Sequence, residues 1–231
     1  MKIGGLVKTS LVDYPGQVAA SIFTIGCNFR CGFCHNPELV DPSRYTPCIS
    51  EKEVKDFLKS RKGQLQAVAI SGGEPTLQKD LPDFIKFCKD LGLKVKLDTN
   101  GSNPDVLEQL IKNQQLDFIA MDIKGPLAKY ASIMSWPIPP ATIKKSIKLI
   151  IDSGLDHEFR TTIVKGLLEV EDFESIGRTV KGAKRYALQH FRPVAEMVDT
   201  KNFHKAQTFT DAEFQSAKTI MEKYVAKCII H

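Results

Sequence analysis

Residues 18–37 read VAASIFTIGCNFRCGFCHNP: a mostly apolar run, a glycine, then three cysteines within eight positions and a histidine directly after the last. A short apolar run bounded by a turn residue predicts a strand buried in a parallel sheet. The cysteines begin where that strand ends. The same pattern returns along the chain, in LQAVAIS (65–71), LKVKLDT (93–99), LDFIAMDIK (116–124), HEFRTTIV (157–164) and a weaker YALQHFRPV (186–194), which makes six predicted strands.

Helical spacing fills the intervals, over 51–61, 81–91, 104–113, 142–153 and 172–184, and a last helix is predicted over about 211–227 after a polar loop at 199–210. Ser50 ahead of EKEV and the Asn103-Pro104 pair supply start signals, while Leu91-Gly92 and Ser153-Gly154 supply stops. Strands alternating with helices predict right-handed βαβ units, in a doubly wound sheet or a barrel of about six repeats. No repeat of fixed sequence and no linker interrupts them. One domain over 1–231 is therefore expected, with a core over about 18–195.

In both architectures chemistry gathers at the carboxyl ends of the strands. The cysteines follow the first run, GGEP (72–75) the second, DTNG (98–101) ends the third, and Asp122 and Lys124 end the fourth. Four strand ends thus direct polar or backbone-exposing residues to one site.

The chain has 231 residues with 32 Lys and Arg against 27 Asp and Glu, a net charge of +5 spread along its length, which fits a solvated surface and implies no nucleic-acid partner. The opening MKIGGLVKTSLVDYPG lacks the long apolar core of a secretion signal, and no window has the 18 or so apolar residues of a spanning helix. A cytoplasmic protein is expected. Six cysteines, three of them clustered, fit a reducing compartment and a metal site better than a disulfide framework. Cys88 lies on an amphipathic helix as core filling, and Cys48 and Cys228 stand alone, as small buried hydrophobes usually do.

Cys27, Cys31 and Cys34 have the spacing C-x3-C-x2-C. Thiolates select zinc, copper(I) or iron-sulfur clusters. Structural zinc wants a fourth ligand; His35 is adjacent to Cys34, too close for both to reach one ion, and Cys48 sits in no repeated ligand spacing. A cubane cluster takes one thiolate per iron, so three leave one iron open to a substrate or cofactor. The loop alone leaves zinc and an open cluster as alternatives.

Cys27, Cys31, Phe33 and Cys34 form C-x3-C-x-aromatic-C, which resembles the hallmark of the radical S-adenosylmethionine (SAM) superfamily, and Gly72-Gly73-Glu74-Pro75 resembles its GGEP after the second strand. Over about residues 4–195 the likeness implies a partial (β/α)6 TIM-like barrel. CHNPEL, LDTNG and MDIK resemble the activating enzymes of glycyl-radical proteins, and KTSLVDYPG with CNFRCGFCHNPEL looks most like the activators of anaerobic ribonucleoside-triphosphate reductase. No further cysteine set lies between Pro37 and Ser71, so one cluster is expected, and DYPG stands where pyruvate formate-lyase activators have a DGPG-like stretch.

The resemblance implies that the three cysteines hold a 4Fe-4S cluster whose open iron chelates S-adenosylmethionine. Reduction then yields methionine and a 5′-deoxyadenosyl radical, and a glycine of a partner, anaerobic ribonucleotide reductase, becomes the stable radical. A reduced flavodoxin or ferredoxin would supply the electron. By the same resemblance Phe33 lies against the adenine, the Gly72 and Gly73 carbonyls accept from the methionyl ammonium, and Glu74 with Pro75 stiffens the turn. Asp98, Thr99 and Asp122 hold the cofactor and a monovalent cation, and Lys124 opposes a carboxylate. Arg160 reaches inward from the fifth strand toward cofactor or substrate, or is structural; His35 and Asn36 line the site; His190 at the sixth faces the substrate or the solvated rim; and 125–140 is a lid or docking loop. Two alternatives stand beside this reading: radical chemistry on a small molecule, peptide or RNA, and a zinc-stabilised binding module.

Overall fold

Eight strands form where six were predicted, in a computed structural model that describes residues 1–231. They are β1 Ile3–Ser10, β2 Ala19–Thr24, β3 Ala67–Gly72, β4 Lys94–Thr99, β5 Phe118–Asp122, β6 Asp156–Ile163, β7 Tyr186–His190 and β8 Cys228–Ile230. The predicted runs became β2 to β7. The chain's contacts gather into two compact units, one of residues 1–28, 36–99 and 105–119, the other of 29–35, 100–104 and 120–231.

In the first unit β1 runs antiparallel to β2, and β2, β3 and β4 follow in parallel, in chain order. The first four residues of β2 and of β3 are buried, as expected of strands covered on both faces. The Glu51–Ser60 helix buries Val54 and Leu58, and the Leu81–Asp90 helix buries Leu81, Phe84, Ile85 and Cys88. Asp117 ties this layer together: its carboxylate accepts from the Val95 N–H at 2.7 Å and from the Lys89 ammonium at 2.7 and 2.8 Å. β1 escaped the sequence reading because IGGLVKTS has two glycines and a half-exposed edge, so neither propensity nor period marks it.

In the second unit β6, β7 and β8 are parallel and in chain order. β6 alternates strictly: His157, Phe159, Thr161 and Ile163 are buried, while Glu158, Arg160 and Thr162 are half-buried on the opposite face. The predicted 172–184 helix stops at Thr179, short of Gly182, whose φ of +95° suits glycine and no helix. The last helix spans Asp211–Met221 behind a Thr210–Glu213 capping box and ends six residues before the predicted Lys227, which frees Cys228–Ile230 to pair with β7. The 199–210 loop contains a short helix, Thr200–Phe203.

Cys88 and Cys228 are buried, and burial pushes both thiols up to about 12, as for small core hydrophobes. Cys48 departs from that expectation, because it is exposed. In folded protein at pH 7, N-ethylmaleimide is expected to label Cys48 while Cys88 and Cys228 stay protected until denaturant is added. Peptide mapping that finds Cys88 modified under native conditions would contradict this packing.

Candidate functional site

The first unit holds the ends of β2, β3 and β4. Gly26, just before Cys27, has φ +105° and donates its N–H to the Leu39 carbonyl at 2.8 Å. The Gly73 N–H donates to the Thr24 carbonyl at 2.8 Å and the Glu74 N–H to the Gly26 carbonyl at 2.7 Å, so the GGEP turn is sewn to the chain leading into the cysteines. A Cβ on Gly73 would lie 2.1 Å from the Gly26 oxygen, and one on Gly72, where φ is +113°, 2.3 Å from the Thr24 nitrogen. Both glycines therefore admit the chain's own backbone.

Glu74 is 0% exposed. Its Oε1 accepts from the Thr76 N–H at 3.1 Å, from the Thr76 hydroxyl at 2.5 Å and from the Thr99 hydroxyl at 2.8 Å. It acts as an internal acceptor that joins the end of β3 to the end of β4. Asp98 accepts from the ammonium of Lys96, itself only 4% exposed. Sequence reasoning passed over Lys96, although its place two residues before Asp98 puts both on one face.

In the second unit the cysteine loop is held by backbone bonds from two segments. The Arg30 N–H donates to the Met134 carbonyl at 2.9 Å, the Asp199 N–H to Gly32 at 2.8 Å and the Val198 N–H to Cys34 at 3.1 Å. A Cβ on Gly32 would strike the Phe203 ring at 2.4 Å. Phe33 is 6% exposed, edge-on to Phe191 and Phe203 with centroids 6.4 and 6.0 Å away, and His35 lies 5.6 Å from the Phe191 ring. The 125–140 stretch contains the Tyr130–Met134 helix, which buries Tyr130, Ile133 and Met134.

Asp122, Lys124 and Arg160 form one charged group. The Arg160 Nε donates to Asp122 Oδ1 at 2.6 Å and the Lys124 Nζ to Oδ2 at 3.0 Å, while the Tyr130 hydroxyl accepts the Lys124 N–H at 3.1 Å. Burial opposes charge on Asp122 and on Lys124, but the ion pairs outweigh it: the carboxyl is held well below the carboxylate range and the ammonium well above its own. Asp122 thus pairs with two cations at once, one on each carboxylate oxygen. Burial pushes the Cys31 thiol up to about 11, with Lys124 pulling the other way.

The Asp122 pairs yield a pH prediction. A depressed folded-state value contributes stability that is full above the unfolded value, about 3.9, and is lost as pH falls through the folded one. Asp122→Asn removes the carboxylate that Lys124 and Arg160 both pair with, and with all three side chains less than a third exposed the expected cost is about 2 kcal/mol at pH 7. The gap between parent and variant in urea denaturation should stay flat down to about pH 4 and shrink below it; a gap that widens on acidification would refute the pairing.

His190, expected to face the substrate, stacks on Phe214 with centroids 3.9 Å apart. Its partner across the strands is Ile163, 0% exposed, so it belongs to the helix-covered face of β7. His157 is also structural: the Lys184 N–H donates to its Nε2, leaving Nδ1 to donate to the Leu155 carbonyl.

The model of the Radical SAM superfamily matches residues 21–180. The chain belongs to the radical SAM superfamily. A Methanocaldococcus jannaschii protein, provisionally named glycyl-radical enzyme activating enzyme MJ1227, is 36% identical over 99% of this chain and 95% of its own length. The pyruvate formate-lyase-activating enzyme of Streptococcus mutans is 28% identical over 84% of this chain and 80% of its length. Among solved structures, Streptococcus suis SuiB bound to S-adenosylmethionine superposes with a TM-score of 0.68 at 17% identity, over 90% of this chain. The present chain spans about half of SuiB, 51%, and at this identity the likeness speaks to the fold. The expected α/β radical SAM fold is met.

Membership of the radical SAM family implies a 4Fe-4S cluster and S-adenosylmethionine. The donor set fits: three soft thiols on one loop, with Cys88 and Cys228 sunk in the packing of other elements. No three His, Cys, Asp or Glu side chains are close enough to share one metal ion; a cubane does not ask for that, because each thiolate binds a different iron. No helix is long and apolar enough to cross a membrane.

Proposed function

We propose that this radical SAM enzyme installs a glycyl radical on a partner enzyme, and that the partner is anaerobic ribonucleoside-triphosphate reductase. The observation that carries the class is the likeness to the M. jannaschii protein, 36% identical over 99% of this chain. The finer choice of partner is supported by KTSLVDYPG with CNFRCGFCHNPEL. When bound, the cluster and S-adenosylmethionine supply reductive cleavage of a carbon–sulfur bond and the hydrogen-abstracting radical that results.

The chain's own residues bind and orient. Cys27, Cys31 and Cys34 would hold the cluster. In the first unit the Gly72 and Gly73 carbonyls would accept from the methionyl ammonium. Thr99 gives its hydroxyl proton to Glu74, and with Asp98 it would hold the cofactor and a monovalent cation, for which their oxygens are suited. Glu74 thereby serves as a positioning residue. In the second unit the Lys124 ammonium would oppose the cofactor's carboxylate, and Phe33 would bound the adenine. Electrons would come from a reduced flavodoxin or ferredoxin, in the cytoplasm.

The test is anaerobic. Protein reconstituted with iron and sulfide, given S-adenosylmethionine and dithionite, is mixed with anaerobic ribonucleotide reductase or with pyruvate formate-lyase and frozen for electron paramagnetic resonance. A glycyl signal on the reductase supports the proposal, and a signal on the lyase alone reassigns the partner. Deoxyadenosine without either signal would move the chemistry to another substrate. Zinc without acid-labile sulfide after reconstitution would end the radical reading.

A further inference from the structure

The charged group at Asp122 is continued toward the carboxyl ends of the strands by two neutral side chains. On β6 the face that carries Arg160 also carries Thr162, one pleat farther on, about 6.6 Å along the strand. In the parallel register Arg160 sits opposite Ala187 and Thr162 opposite Gln189. Ala187 is fully buried and Gln189 half-buried. The Thr162 hydroxyl donates to Gln189 Oε1 at 3.4 Å, which places both side chains on one face. His190, the next residue, turns to the opposite face against Phe214.

With Oε1 turned to Thr162, the Gln189 Nε2 group points the other way and carries two N–H donors. The Oε1 atom keeps a second lone pair. The neighbouring Arg160 Nε and Lys124 Nζ are engaged by Asp122. Gln189 therefore offers an oriented, neutral donor-acceptor pair at the carboxyl end of a parallel sheet, where sites of such folds lie.

An oriented carboxamide matches a peptide group, because each presents one C=O and one N–H edge. A carboxylate would use the N–H donors and leave Oε1 without a donor, and an apolar ligand would leave the N–H groups unpaired. A backbone segment can reach a side chain on the sheet floor only where its own side chains do not hold it away, which a glycine permits.

We propose that Gln189, oriented by Thr162, hydrogen-bonds the backbone of an extended glycine-bearing segment of the partner and helps to set which segment is accepted. This rests on the glycyl-radical reading. Gln189 would be a substrate-binding residue and Thr162 a positioning residue.

The experiment uses cluster-reconstituted protein, S-adenosylmethionine and dithionite, with whichever of anaerobic ribonucleotide reductase or pyruvate formate-lyase the parent protein activates. Glycyl signal is followed against partner concentration. Gln189→Leu keeps the bulk and Gln189→Glu the shape without the N–H donors; each is expected to raise KM for the partner about tenfold while the maximal rate stays within about twofold. Thr162→Val should raise KM about threefold, and Thr162→Ser should restore it. Parent-like KM in both Gln189 variants, or a fall in maximal rate with KM unchanged, overturns the assignment. A parent protein that gives no glycyl signal with either enzyme brings down the underlying reading instead, and this inference with it.

Discussion

Replacing Cys31 with alanine is expected to abolish S-adenosylmethionine cleavage, by more than about a hundredfold, while the polypeptide keeps its fold. Loss of a group that merely supports a metal ligand costs ten- to a hundredfold, so loss of a ligand itself should exceed that. The fold is spared because the loop is secured by backbone groups that alanine retains: the Cys34 N–H donates to the Cys31 carbonyl at 3.0 Å, Arg30 is tied to Met134, and Asp199 to Gly32. Removing one buried sulfur should cost only about 1 kcal/mol. Cys88→Ala is the matched control, since Cys88 is also buried but lies on the Leu81–Asp90 helix. That variant should pay a similar stability cost and load iron and sulfide like the parent. Turnover that survives in Cys31→Ala, or is lost equally in Cys88→Ala, would show that the three ligands are wrongly assigned.

What could be read from the sequence divides along the range of the interactions. β2 to β7 were legible because each is an apolar run closed by a turn residue, and such a pattern is local. β1 and β8 were not: one is an edge with two glycines, the other three residues long, and each exists because a neighbouring strand is there to pair with it. The residue types of the site were legible as strand-end motifs, but their partners were not. Glu74 reads as part of a ligand-binding turn until its acceptor duty toward Thr99, 25 residues away, is seen. Arg160 reads as a lone arginine until it closes on Asp122, 38 residues earlier. At the end of β7 the choice between His190 and Gln189 turns on the strand's phase, and a one-residue difference in phase exchanges the two faces. The histidine is chemically the more conspicuous of the two, yet it is the one spent on packing.

Gly73→Ala should damage the polypeptide itself severely, destabilising it by about 3 kcal/mol or more. The added carbon would stand 2.1 Å from the Gly26 oxygen and 3.1 Å from that of Leu39, and both are backbone atoms that no rotamer change can move aside. To relieve the clash, the turn must part from residues 24–26, which breaks the bonds from Gly73 N–H to Thr24 and from Glu74 N–H to Gly26. Because Gly26 precedes Cys27, the same displacement should lower iron and sulfide uptake as well as stability. Gly92 calibrates the effect. It has φ +82° and open space around a would-be Cβ, so its alanine variant bears only the cost of a left-handed backbone, about 1 kcal/mol. Urea denaturation of the cluster-free proteins, with metal and sulfide analysis after reconstitution, measures both consequences. If Gly73→Ala proves no less stable than Gly92→Ala and loads its cluster normally, then the turn is not braced on the Gly26 carbonyl, and GGEP owes its glycines to the approach of the cofactor.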